Sequence, residues 1–263
     1  MERRPLGEYE AFTHWSGRPL SWGPDGRWRV WFAGGVIDGL LELLDEHIAS
    51  AQRRGRYPAV VGCSPWLTSE AVVDRLLKTA CCVVMDKGAA VWPARLAQAD
   101  CGLPNVLPGL RDRGPADTDG GPLVVGPFTP MPEYQIGPIR VTGWRGPSGK
   151  PLAHAKLLVL GELVWDEIGP DDGPTVEERF FEATSVWWGS ANLTDKSSSH
   201  LEVGFWSDDP ELLRWAEGFM DDLIAFSEPV NSPCAGPEPN LLRVEWDHDA
   251  MWDAVADEWP DEP

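Results

Sequence analysis

Two uncharged apolar runs separated by a short amphipathic segment constrain the fold of this chain most. Ala59–Cys63 and Thr79–Met85 carry no charged residue, and between them Ser69 to Lys78 places its apolar residues at helical spacing. Strands that are apolar on both faces belong in a sheet covered by helices on both sides. A strand–helix–strand unit of this length pairs its two strands in parallel. Thr68 or Ser69 is placed to cap the helix, and Ser64-Pro65 turns the chain after the first strand. The expectation is therefore an α/β fold.

The remainder of the chain extends that pattern. Residues 28–33 read as a short strand, and Val36 to Arg53 repeats apolar residues with the period of a helix. From 103 to 138 proline and glycine dominate, which predicts a long loop region with only short strand-like pieces such as Leu123–Val125. Ile139–Thr142, Ala153–Leu160, Phe180–Trp188 and His200–Trp206 read as further strands. Asp208 or Asp209, followed by Pro210, starts a helix that runs to about Phe226. Beyond Pro229 the chain is proline-rich and then acidic, with Leu241, Leu242, Val244 and Trp246 expected to dock back. A single domain over 1–263 is the default for this length.

Net charge is −20, which taken alone argues against a nucleic-acid partner. The distribution of that charge removes the objection. Residues 1–160 sum to +2 and residues 161–263 to −22, so a binding surface can still form on the first part. Five cysteines show no metal-type spacing, and Cys81-Cys82 read as buried free thiols. The first residues lack the apolar core of a signal peptide, and no run reaches membrane-spanning length. A cytoplasmic protein with no membrane partner is expected.

Chemistry concentrates in two segments. His154-Ala155-Lys156 precedes an apolar run, and on a strand residues two apart share a face. His154 can attack phosphorus while Lys156 holds its oxygens. Gly189-Ser190-Ala191-Asn192 adds donors from Ser190 and Asn192, after a glycine that admits close backbone approach. This set suits phosphodiester chemistry without a metal or other cofactor.

The segments Ala153-His154-Ala155-Lys156, Gly189-Ser190-Ala191-Asn192-Leu193-Thr194 and His200-Leu201-Glu202-Val203-Gly204, in that order, resemble the phospholipase D superfamily. Val61 to Ala71 is also similar to an early strand–helix segment of its members, so the likeness spans roughly 59–226. The resemblance implies a phospholipase D-like mixed β-sheet flanked by helices, with His154 and Lys156 catalytic, Ser190 and Asn192 binding phosphate, and Glu202 supporting an imidazole. Two departures stand out. Gly161 occupies the position where the family places an Asp, with Asp166 or Glu167 as conceivable substitutes. About twenty residues, strongly acidic over 161–179, separate the two motifs and read as a loop, most simply a solvated one and more sharply a nucleic-acid mimic over the site.

Of the five histidines only His154 is followed by lysine two residues on, whereas family enzymes combine two such segments in one site. The resemblance thus implies a homodimer in which each subunit supplies one histidine. Short single-motif members are often nucleases in prokaryotic DNA-processing or anti-phage systems. That implies nucleic acid as substrate, DNA favoured, and leaves room for a larger protein partner. The alternatives are a phospholipase or transphosphatidylase, and a non-catalytic assembly module. Trp66, Trp144, Trp187 and Trp188 lie nearest the motifs as stacking candidates, and Arg140, Arg145 and Lys150 form the best phosphate-steering patch.

Overall fold

The computed structural model describes residues 19–22, 26–89, 91–104, 110–112, 123–125, 135–146, 153–168 and 176–246. Its centre is the predicted strand–helix–strand unit. Strand β3 (Tyr57–Cys63) lies parallel to β4 (Ala80–Asp86), and the helix between them covers Glu70–Leu76. A third parallel strand, Ile139–Thr142, pairs with β4 on its other side.

On the opposite flank of β3 the sheet turns antiparallel. With β1 as Leu20–Trp22, β2 as Trp28–Phe32 and β5 as Ile139–Thr142, the later strands are β6 (Leu157–Ile168), β7 (Val176–Gly189), β8 (Val203–Ser207) and β9 (Glu228–Pro229). The nine run in the order β1-β2-β8-β7-β6-β3-β4-β5-β9. The protein is an α/β fold with a mixed sheet flanked by helices.

Alternation along the strands sorts the core into two layers. Val60, Cys81, Leu158 and Trp187 face helix α1 (Gly35–Arg53) and helix α2 (Glu70–Leu76), packing on Val36, Leu40, Leu44, Val72 and Leu76. Their neighbours Val61, Cys82, Val159 and Val186 face the opposite way, onto Ala216, Met220 and Ile224 of the C-terminal helix, Pro210–Ala225. That helix starts as its sequence dictates: Asp209 accepts the N–H groups of Glu211 and Leu212, and Pro210 sits in the first turn. Ser69 begins α2 without using its hydroxyl as a cap.

One segment differs from the sequence reading. Residues expected to be a loop after Leu160 instead prolong a hairpin, with β6 and β7 paired as far as Ile168 opposite Val176. Pairing of β6 with β3 stops at Leu163 opposite Tyr57, so the hairpin continues past its neighbour. Residues 169–175 lie outside the described set. Within the proline-rich region, Leu110–Asp112 and Leu123–Val125 are strands, and Leu241–Trp246 docks between them. Leu241 is buried there, as expected of the returning tail.

Candidate active site

Strand register gathers the motif segments at one end of the sheet. Leu157 of β6 lies opposite Cys63 of β3 and Trp188 of β7, and Gly189 lies opposite Gly204 of β8. The loops that follow β3 and β4, precede β6, follow β7 and precede β8 therefore meet at this end. It is where the parallel strands terminate, the customary place for a site in an open α/β sheet.

His154 and Lys156 are not on a strand. Residues 153–156 form an extended lead-in, and β6 begins only at Leu157. Two apart, the side chains still meet, because the lysine folds back rather than lying parallel. Lys156 Nζ donates to His154 O at 2.9 Å and sits 3.0 Å from Nδ1 and 3.2 Å from Nε2 of the imidazole. Burial pushes the Lys156 ammonium below its ordinary value, against the opposing pull of Glu202 and of Cys63. The imidazole is exposed, with the Trp66 ring edge-on at 6.2 Å between centroids. The pair thus sets an exposed imidazole against a largely buried ammonium.

The Gly189–Asn192 segment is fixed by the strand that follows it. Gly189 packs on the Val203 carbonyl so closely that a Cβ would collide with it, which accounts for the glycine. Ser190 N–H donates to Val203 O at 2.9 Å, and Val203 N–H donates back to Ser190 Oγ at 3.0 Å. The Ser190 hydroxyl donates to the Glu202 carboxylate. Glu202 also faces His200, with Oε1 3.8 Å from Nδ1. Among the described residues the imidazole beside Glu202 is that of His200. Asn192 Oδ1 is buried without a partner among the described residues, so its amide is not committed elsewhere through that atom.

Gly161 has a structural explanation. It sits at a bulge where the β6–β7 register shifts, and a Cβ there would meet Phe181 Cζ at 2.5 Å and Glu182 O at 2.6 Å. An aspartate cannot occupy the position. Gly161→Asp is therefore expected to raise no cleavage rate and to lower stability, by about 1–3 kcal/mol from overpacking alone. Urea unfolding of the variant beside the wild type checks this, and an unchanged midpoint with enhanced cleavage would refute it. The side chains of Asp166 and Glu167 lie outside the described ones.

The acidic stretch begins on an internally compensated cluster. Glu162 and Glu182 are directly opposed across the hairpin, a pairing that like charges disfavour. Arg56 Nη1 bridges them at 3.2 and 2.9 Å, and Arg54 binds Glu162 as well. Burial raises the Glu162 carboxyl, but Arg54 and Arg56 more than offset that, so it titrates below its usual range. From Leu157 to Ile168 the strand climbs about 35 Å away from the His154 end. The hairpin therefore grows away from its own subunit's site, so a cover over that site is not what its described residues form.

Other expectations are also corrected. Arg140 is buried and bonded to Ser227 and Asn240, so it steers no phosphate. Trp187 belongs to the core, and Trp188 stacks on Phe205. Trp66 and Trp144 are the exposed pair at the motif end; Lys150 lies outside the described residues. Sequence reasoning passed over Asp86, whose carboxylate accepts the Ala153 N–H. An acid that ends an otherwise apolar parallel strand was the available signal. Among the described residues no cluster of three His, Cys, Asp or Glu side chains could hold a metal ion, and no helix is long and apolar enough to cross a membrane.

Fold and site together define an α/β protein with a histidine–lysine centre at the end of its parallel strands. No known family pattern matches the chain in sequence, and no curated protein does. Among solved structures it is similar to NucT from Helicobacter pylori, 12% identical, with a TM-score of 0.45 over 75% of this chain and 94% of that one. It is similar to Nuc, a phospholipase D family member from Salmonella typhimurium, at 11% identity and a TM-score of 0.39, over 74% and 93%. Polyphosphate kinase from Porphyromonas gingivalis aligns at 13% identity and a TM-score of 0.40, over 88% of this chain and 28% of the kinase. What the site can do follows from the chain's own side chains.

Proposed function

We propose that this protein is a metal-independent phosphodiesterase that cleaves nucleic acid through a phosphohistidine intermediate, in a site shared by two copies of the chain. The observation that carries this reading is the meeting at one sheet end of His154 and Lys156, from the lead-in to β6, with Ser190, Asn192 and Glu202, from the connection between β7 and β8, Lys156 Nζ lying within 3.2 Å of both imidazole nitrogens.

In the first step an imidazole nitrogen of His154 attacks phosphorus. The N–P bond forms as the bond to the leaving oxygen breaks, and the partner's His154, protonated, gives that oxygen its proton. Water then attacks the phosphohistidine, loses its proton to the same partner imidazole, and the N–P bond breaks to release a phosphomonoester. Lys156 neutralises the non-bridging oxygens, the task a metal ion performs elsewhere. The Asn192 amide NH2 orients them, and the Ser190 hydroxyl, whose proton rests on Glu202 before substrate binds, joins it by turning that proton to a phosphate oxygen. Support for the dimer comes from the single His-x-Lys segment and from the exposure of His154 at the open end of the sheet.

The test is cleavage of single- and double-stranded DNA and RNA in EDTA, followed by subunit mixing. When wild type is exchanged with an equal amount of His154→Ala chains, activity per wild-type chain is expected to fall to about half, because only wild-type pairs hold two histidines. Activity per chain that ignores mixing would sink the shared site. Silence on every nucleic acid by verified dimers would sink the nuclease reading.

A further inference from the structure

Asp86 closes a strand whose other residues, Ala80 to Met85, are all apolar, and it is only 2% exposed. A buried carboxylate is costly unless something requires it. The adjacent Lys87 does not explain it, because that ammonium turns to Glu228 and to the Gly236 carbonyl. What Asp86 does bind is backbone. Oδ1 accepts Gly88 N–H at 2.7 Å and shapes the turn after β4. Oδ2 accepts the N–H of Ala153 at 3.0 Å, across 67 residues of sequence.

Ala153 immediately precedes His154. The four residues 153–156 belong to no strand, and their far end is tied by Gly189 N–H donating to Lys156 O at 3.3 Å. The peptide that carries the imidazole is thus gripped at its exit by the Gly189 amide and at its entry by a carboxylate. We infer that Asp86 is a positioning residue for His154, setting the backbone from which the imidazole reaches phosphorus. The inference rests on His154 as the reacting group.

A carboxylate suits the task better than an amide. Its bonds to N–H groups are charge-assisted and about twice as strong as neutral ones, and both oxygens accept, so the turn and the lead-in are fixed together. Displacement of a reacting group by about 1 Å can lower a rate by about 100-fold.

The experiment compares Asp86→Asn with wild type in the full chain. Asparagine keeps one acceptor oxygen and turns an NH2 group toward the other N–H. The expected result is a kcat lower by about 10- to 100-fold with KM within about two-fold. The His154 ring signals in NMR spectra should shift while those of His47 stay in place. Amide exchange at Ala153 should be slow in wild type and faster in the variant. Wild-type exchange at the rate of a free peptide would overturn the inference, whether or not the variant folds. So would unchanged kcat with unmoved His154 signals. Should the wild type cleave no nucleic acid, the functional reading falls, while amide exchange and the His154 signals still decide whether Asp86 sets that loop.

Discussion

His154→Ala is expected to lower phosphodiester cleavage by about 10,000-fold or more, with the thermal midpoint held within about 2 °C. The contrast follows from where the residue sits. The imidazole is exposed, and among the described residues its ring meets the edge of Trp66 and the Lys156 ammonium, so its removal opens no cavity. Chemically the nearest candidate does not replace it. Cys63 is buried and burial pushes its thiol up to about 12, which leaves no thiolate to attack phosphorus near neutrality. The measurement is initial rate on a nucleic-acid substrate in EDTA alongside a melting curve. A variant that keeps a tenth of wild-type activity would exclude the phosphohistidine route, and a melted variant would recast His154 as structural.

The largest expected effect on stability lies at Lys87. Its ammonium and the Glu228 carboxylate form an ion pair with side chains 0% and 1% exposed, and the ammonium also donates to Gly236 O at 2.6 Å. The pair joins the turn after β4 to β9, and the bond to Gly236 O adds the segment beyond β9. Lys87→Met leaves the carboxylate buried without its cation, and is expected to lose about 3–5 kcal/mol. Combining it with Glu228→Leu removes both charges, and most of the loss should return. Urea midpoints for the wild type, each single variant and the double variant give the coupling directly. Additive losses would show that the two groups act independently.

Legibility in the sequence follows the range of the forces involved. The parallel unit around β3 and β4 is readable because burial on both faces leaves an unbroken apolar run. Helix α1 and the Pro210 helix are readable from periodicity and, in the second, from an Asp-Pro start. The hairpin beyond Leu160 is not. Its acids argue for a solvated loop, and only the cross-strand arginines, more than one hundred residues away in sequence, make Glu162 acceptable in a strand. The same limit applies to the site. Residue types and order single out His154, Lys156, Ser190, Asn192 and Glu202. Their mutual geometry depends on chain segments that spacing cannot connect, and so the placement of Glu202 beside Ser190 and His200 emerges only in three dimensions. Asp86 carried a signal, an acid at the end of an apolar strand, but its partner at Ala153 lies 67 residues away and emerges only in the fold.

The strand order has a consequence for the two parts of this chain, residues 1–160 and 161–263. The strands of the two parts interleave, because β7, β8 and most of β6 from the second lie between β2 and β3 from the first. Each fragment made by cutting at residue 150 would carry raw strand edges: β3 without β6, β2 without β8. Each piece would need the other to cover those edges.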